Sequence, residues 1–203
     1  MNVYHDTRYE SEPSGFHPYD GAAYSSDVQY YDFKRSPELI PNVLEDFTPW
    51  GSHAAVLTFY DLVRWVNSPD SALESSDCAF QGPHPETSER WEKPVAVSGR
   101  LMIIYRDLPL NTVRANLEML SAAVLHHLAE IDPDFTVQQA SVGTSVVQTI
   151  YTRLNRAGHR LQLSFWAWGD TDDEAFQNLD RLFKALRECL ELVSASIQPP
   201  TPA

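Results

Sequence analysis

A chain of 203 residues, 43% hydrophobic and 21% charged, has the size and make-up of one globular domain with appendages, long enough to bury a real core. Its 28 acidic and 15 basic residues leave a formal charge of -13, which repels phosphate backbones and anionic lipid, so neither nucleic acid nor a membrane is expected as a partner. No apolar run approaches the roughly 18 residues that span a bilayer. Met1-Asn-Val-Tyr-His-Asp6 has neither the basic start nor the apolar run of a secretory signal, so a cytoplasmic location is expected. Cys78 and Cys189 stand in no metal-ligand spacing and read as buried thiols of a reducing compartment.

Residues 1–35 form an acidic arm carrying Tyr4, Tyr9, Tyr19, Tyr24, Tyr30 and Tyr31, broken by Pro13, Gly15, Pro18 and Gly21. With no hydrophobic period it reads as extended chain. Tyrosine gives large contact area at low rotamer cost, which suits an arm lying on its own domain or on a neighbouring subunit. Residues 36–94 form an appendage. Ser36 to Trp50 reads as a turn or linker limited by Pro41, and Ala55, Val56, Phe59, Leu62, Val63 and Val66 then recur at helical spacing behind Ser52 as cap. Cys78-Ala-Phe80 reads as a short edge strand, and Gly82 to Pro94 as an exposed loop with Trp91 as an anchor, for a partner or for its own domain.

Residues 95–197 form the core domain and 198–203 a frayed tail. Gly99 to Arg106 is apolar on both faces and belongs inside a sheet. A helix follows, capped by Asn111, with Val113, Leu117, Leu120, Val124, Leu128 and Ile131 on one line. Its other side carries Ala115, Met119, Ala122, Ala123 and His126, small or adaptable residues that would let a second element come close. Phe135 to Leu154 reads as strand interrupted by Gly143, which suggests a bulge, bend or hairpin, and Asn155 to His159 as a turn. In Arg160 to Trp168, Leu161, Leu163, Phe165 and Ala167 face one way, and Arg160, Gln162, Ser164, Trp166 and Trp168 the other. Thr171 and Glu174 make a capping box for a last helix with Phe176, Leu179, Phe183, Leu186, Leu190 and Val193 as its core line. These elements predict an α+β fold: a mainly antiparallel four-stranded sheet with two long helices on one face, a ferredoxin-like sandwich, plus the N-terminal helix and arm.

Signatures of chemistry are sparse. There is no Gly-x-Gly-x-x-Gly, no phosphate loop, no His-Glu-x-x-His and no Gly-x-Ser-x-Gly. His126 and Glu130 share a helix face beside His127, but a zinc site needs a third ligand that the sequence does not identify, so the cluster reads as helix surface. Asp170, Asp172, Asp173 and Glu174 read as helix capping rather than as cation ligands. No cofactor, metal or catalytic residue is therefore expected.

Contact residues are easier to name. Trp166 and Trp168 sit about 7 Å apart on one strand face, where they can make a continuous aromatic surface for a partner or lie beneath the arm or the loop. Arg153, Arg156, His159 and Arg160 gather at a hairpin tip, suited to docking on acidic residues such as Glu10, Glu12, Asp20, Asp27 and Asp32 of a second copy. Trp91, Tyr30 and Tyr31 complete the expected contact set. A strand ending Phe165-Trp-Ala-Trp168 before an acidic, Ala/Leu-patterned helix resembles, over roughly the last 45 residues and on a generic pattern, the small α/β tail-completion proteins of phages. The expectation is a non-enzymatic assembly subunit that binds a protein partner or its own copies. A small-molecule-binding regulatory domain is the alternative, and a hydrolase using His126 or His127 a third.

Overall fold

A computed structural model describes residues 1–7, 13–18, 30–88 and 91–197. In chain order the elements are β1 (Asn2–His5), β2 (Pro13–His17), α1 (Ile40–Val43), α2 (Ala54–Val66), β3 (Leu73–Pro85), β4 (Val95–Tyr105), α3 (Arg114–Ile131), β5 (Ala140–Tyr151), β6 (Arg156–Gly169) and α4 (Asp172–Ile197). The four long strands pair antiparallel in the spatial order β5-β6-β4-β3. β1 and β2 both line the outer edge of β5, each parallel to it. The fold is thus α+β, but the sheet is six-stranded and mixed, not the four-stranded antiparallel sheet expected. In the body, two strands precede each long helix, whereas a ferredoxin-like sandwich needs the order βαββαβ. Half of that pattern survives: β4, α3 and β5 form a β-α-β unit whose parallel strands are split by β6.

The N-terminal segment joins the sheet without a hydrophobic period because an edge strand is held by its backbone. Its side chains need only match a polar neighbour, as where the Asn2 amide donates to Ser141 Oγ at 3.3 Å. β3 is likewise longer than the three-residue piece expected. It carries Ser and Asp where a strand propensity scale looks for Val, yet it pairs with β4 along almost its whole length, with shifts at Ser75/Asp77 and Gln81/His84.

One face of the sheet is covered by helices. Leu161, Leu163, Phe165 and Ala167 of β6, with Val97, Leu101 and Ile103 of β4 and Val142 and Val146 of β5, pack against Phe59 and Val63 of α2, Leu120 and Val124 of α3, and Phe183 and Leu186 of α4. α4, 26 residues and so about 39 Å long, lies between α2 and α3 and packs on both. It begins with half of the expected capping box: the Glu174 N–H donates to Thr171 Oγ1 at 3.2 Å, while Glu174 Oε2 reaches one residue further back, accepting from the Asp170 N–H at 2.7 Å rather than from that of Thr171. The linker before α2 is also core, with Ile40 buried and Phe47 stacked on Phe59 at 4.4 Å.

Two expected caps are displaced. α2 starts one residue later than Ser52 allows, behind His53, whose ring stacks on Phe176 at 4.0 Å. Asn111 caps no helix: α3 begins at Arg114, and the buried Asn111 amide instead accepts from the Tyr105 N–H and donates to the Tyr105 carbonyl, each at 2.8 Å. A short 3-10 turn, Leu108–Thr112, intervenes, which leaves Val113 half exposed rather than in the core line. The opposite side of α3, with Ala115, Met119, Ala122 and His126, faces outward. Cys78 and Cys189 form no disulfide, and burial pushes the Cys189 thiol up to about 12.

Candidate functional site

The strand register puts Arg160, Gln162, Ser164, Trp166 and Trp168 of β6 on the face away from the helices, beside Ala96, Ser98, Arg100 and Met102 of β4 and Ser141, Gly143, Ser145 and Val147 of β5. This back face is polar, yet much of it is buried under the N-terminal segment. Toward the β5–β6 turn, Arg160 is only 2% exposed and Tyr151, Gln162, Ser164 and Thr149 are buried with it. His17 of β2 reaches across to Glu74 of β3, Nε2 to Oε1 3.4 Å, and Lys34 adds a 2.5 Å bond to Glu74 Oε2. β2 and β3 stand on opposite edges, four strand spacings or roughly 19 Å apart along the sheet, so the sheet must curl to bring them together. Burial alone would raise the Glu74 pKa, but the hydrogen bonds from His17 and Lys34 outweigh it and hold the carboxyl below its ordinary value.

At the other end the curl leaves a cavity of about 670 Å³ between β1 and the loop after β3. Three indoles and a phenol wall it: Trp166 and Trp168 on the floor, Trp91 from the loop and Tyr4 from β1. Trp91 stacks on Trp168 with centroids 4.0 Å apart, and Trp168 is 1% exposed. The Trp168 Nε1–H donates to Glu86 Oε2 at 2.8 Å, while Glu86 Oε1 takes the Ser88 N–H, also at 2.8 Å. The loop is closed at its base by the Glu86 N–H to Pro94 carbonyl bond, and there Lys93, beside Pro94, is tied to Asp170 and Glu174. Those two carboxylates raise the Lys93 pKa. The Asp6 carboxylate is buried at the cavity edge, its backbone fixed by the Asp6 N–H to Thr144 carbonyl bond and by Ser145 Oγ–H donating to its own carbonyl.

Tyr4 reaches the floor because position 143 has no side chain. Gly143 breaks nothing: β5 pairs with β6 without a register shift from Ala140 to Tyr151. Instead, a Cβ built there would lie 2.9 Å from Tyr4 Cζ and 3.1 Å from its hydroxyl. The ring of Tyr4 lies over the glycine and comes nearly parallel to Trp166, centroids 6.5 Å apart. Gly143→Ala should therefore displace Tyr4 at a cost of about 1–3 kcal/mol, the range for overpacking. Urea unfolding measures it; a cost below about 0.5 kcal/mol would mean that the ring does not rest there.

The remaining expected contact residues scatter. Tyr30 packs edge-on against His17 at 5.4 Å, and burial, with Glu74 and Asp32 nearby, pushes its hydroxyl up to about 12. Tyr31 stacks on Phe33 at 6.4 Å. Arg153 and Arg156 are exposed at the β5–β6 turn, which spans Thr152 to Asn155, with Asn155 at φ 46°. Arg160 does not join them: it is four residues into β6, on the back face, and buried. Of the acidic partners expected for that tip, Asp32 is described; Glu10, Glu12, Asp20 and Asp27 lie outside the described residues, as do Tyr9, Tyr19, Tyr24 and the tail 198–203. His126, His127 and Glu130 bring their ligating atoms within 4.8 Å of one another on the outer face of α3, with His126 and Glu130 exposed.

The sequence places the two indoles on their face, with the arm or the loop as a roof, and marks Trp91 as an anchor and Tyr4 as one of the arm's tyrosines, but it does not mark Asp6 or Glu86. Nothing local marks them: they are polar residues of an arm and a loop, and only the parallel pairing of β1 with β5 brings them to β6. Gly143 was the available signal, since a glycine inside a strand also permits the close approach of a ring. No protein-family model matches the chain, nor does any curated protein or solved structure. Among the described residues, no helix is long and apolar enough to cross a membrane.

Proposed function

We propose that this chain is a non-catalytic binding subunit that engages a protein partner through the back of its sheet, at the cavity between β1 and the Glu86–Trp91 loop. The observation that carries this is the make-up of the walls: four aromatic rings around a cavity of about 670 Å³. Aromatic side chains with few charges are what the centres of protein interfaces use. Glu86 is spent holding the indole of Trp168 and the loop backbone, a supporting role rather than that of an acid or base.

A photo-crosslinking residue placed at Tyr4 should link the chain, purified from its source, to a co-purifying protein or a second copy. The same residue at Glu130, on the helical side, should not, and Trp166→Ala should abolish the link. A chain that stays monomeric in native mass spectra at every concentration, with no crosslink from position 4, would refute the proposal. The cavity's volume also falls in the roughly 300–1,000 Å³ of small-molecule sites, which favours a metabolite-binding regulatory domain as the second reading. That reading predicts a monomer whose tryptophan fluorescence shifts with a small molecule.

A further inference from the structure

We infer that the last turns of α3 bind a divalent transition-metal ion, zinc being the ion its donors suit, on three side chains: His126, His127 and Glu130. In the sequence His126 and Glu130 lie one turn apart and a third ligand is wanting; the structure supplies it from the next residue. One ligating atom from each of the three lies within 4.8 Å of the other two. His126 Nε2 and Glu130 Oε2 are 3.8 Å apart, and the two imidazole rings 5.3 Å apart between centroids. The helix explains how. At about 100° per residue, Glu130 stands about 40° round the axis from His126 and about 60° from His127, so it projects between them one turn on. Around a tetrahedral zinc with bonds of about 2.1 Å, neighbouring ligand atoms are about 3.4 Å apart, so the three need to close by only roughly 1 Å. Among the described residues, no hydrogen bond or ion pair holds these side chains other than the pair that His126 makes with Glu130.

The chemistry of the donors selects the ion. Two imidazole nitrogens and one carboxylate suit zinc and its neighbours in the first transition row, whereas magnesium and calcium take oxygen alone. The place on the helix favours positive charge as well. α3 ends at Ile131 and carries no basic residue in its last turn, where the unpaired carbonyls make the negative end of the dipole. Glu130 adds a carboxylate at that end, unfavourable alone and favourable against a dication. Three protein ligands leave the fourth position to water. With His126 and Glu130 each about two-thirds exposed, the ion clips the end of the helix, joining residues 126, 127 and 130 by coordinate bonds. This site is on the outer face of α3 and does not depend on the cavity behind the sheet.

Calorimetric titration of the full chain with Zn²⁺, after a chelator has been added and dialysed away, should give one saturable site per chain. Loss of a residue that merely supports a zinc ligand costs about 10–100-fold in affinity, so His126→Ala, His127→Ala and Glu130→Gln should each weaken the site at least about tenfold. His84→Ala, on β3, should leave it unchanged. Co²⁺, which reports coordination by its visible absorption, should show the same losses, and Mg²⁺ should not compete. Zn²⁺ should also raise the thermal midpoint and slow amide exchange over residues 127–131 in the wild type, and do neither in His126→Ala/His127→Ala. No saturable binding, or a titration unchanged in that double variant, overturns the inference. A site lost in His126→Ala and Glu130→Gln but kept in His127→Ala overturns the three-ligand arrangement. One ion per two chains in native mass spectra overturns it in favour of an ion shared between copies, and equal affinity for Mg²⁺ overturns the role of the imidazoles.

Discussion

Glu74→Ala is expected to release the N-terminal segment from the far edge of the sheet and to cost about 3 kcal/mol. Glu74 is the group on β3 to which His17 and Lys34 both reach, and its side chain is buried. Removing one member of a buried charged pair strands the other, which costs about 3–5 kcal/mol when both are fully enclosed. Lys34 keeps a quarter of its surface in water, which places the effect at the lower end. Glu74→Gln should cost less, because an amide oxygen still accepts a hydrogen bond. The pH dependence follows from the depressed pKa. A carboxyl lower in the folded than in the unfolded chain adds stability above its ordinary value, 4.5, and that stability drains away as the pH falls toward the folded value. The wild type should thus lose more stability than Glu74→Gln between pH 6 and pH 3. Urea midpoints at these pH values, with limited proteolysis of the arm, measure both effects. An arm equally resistant in wild type and Glu74→Ala would show that the bridge does not fasten it.

Why the arm escaped a sequence reading is a matter of which forces hold it. α2, α3 and α4 are legible because each buries an apolar stripe, and a stripe has a period. β6 is legible for the same reason, with Leu161, Leu163, Phe165 and Ala167 alternating against a polar set. β1 adds one apolar side chain to the core, Val3, too few for a period to show. β1 and β2 are held by backbone bonds to β5, by Thr149 Oγ1–H donating to the Gly15 carbonyl at 2.9 Å, and by the His17 and Lys34 contacts with Glu74. None of these leaves a pattern along the chain, because each depends on a residue more than 30 positions away.

Arg160 and Asn111 show the same limit from the side of the core. Arg160 sits next to a turn and carries a charge, so the plain reading is an exposed tip; alternation along β6 in fact fixes it on the back face, where it is buried. Asn111 stands where a helix cap is expected, but it is more useful to the fold as a clamp on both backbone groups of Tyr105. The polar back face thus has two parts that differ in use: one closed by Glu74, His17 and Lys34, the other left open as an aromatic cavity. The closed part holds the arm so that Tyr4 and Asp6 stand at the open one. Loosening the bridge at Glu74 should therefore weaken binding at a cavity that Glu74 does not line.

The indole of Trp168 carries the second large effect. Trp168→Ala should cost about 3–5 kcal/mol, the range for removing a buried aromatic side chain, because the ring is enclosed between the sheet and Trp91. Loss of the ring also takes away the platform on which Trp91 rests and the N–H that Glu86 accepts, so the loop after β3 should open. Trypsin would then cut faster after Arg90. Trp168→Phe separates these contributions: it keeps an aromatic face for Trp91 but leaves Glu86 Oε2 without its donor, at about 1–3 kcal/mol. The loop should stay resistant in that variant, since Lys93 still bridges Asp170 and Glu174 and the Glu86 N–H still holds the Pro94 carbonyl. Urea unfolding gives the energies and the tryptic rate gives the loop. A cost below about 1 kcal/mol for Trp168→Ala, or equal cleavage of all three proteins, would mean that Trp91 is not seated on Trp168. In that case the cavity would lack the wall that the loop supplies.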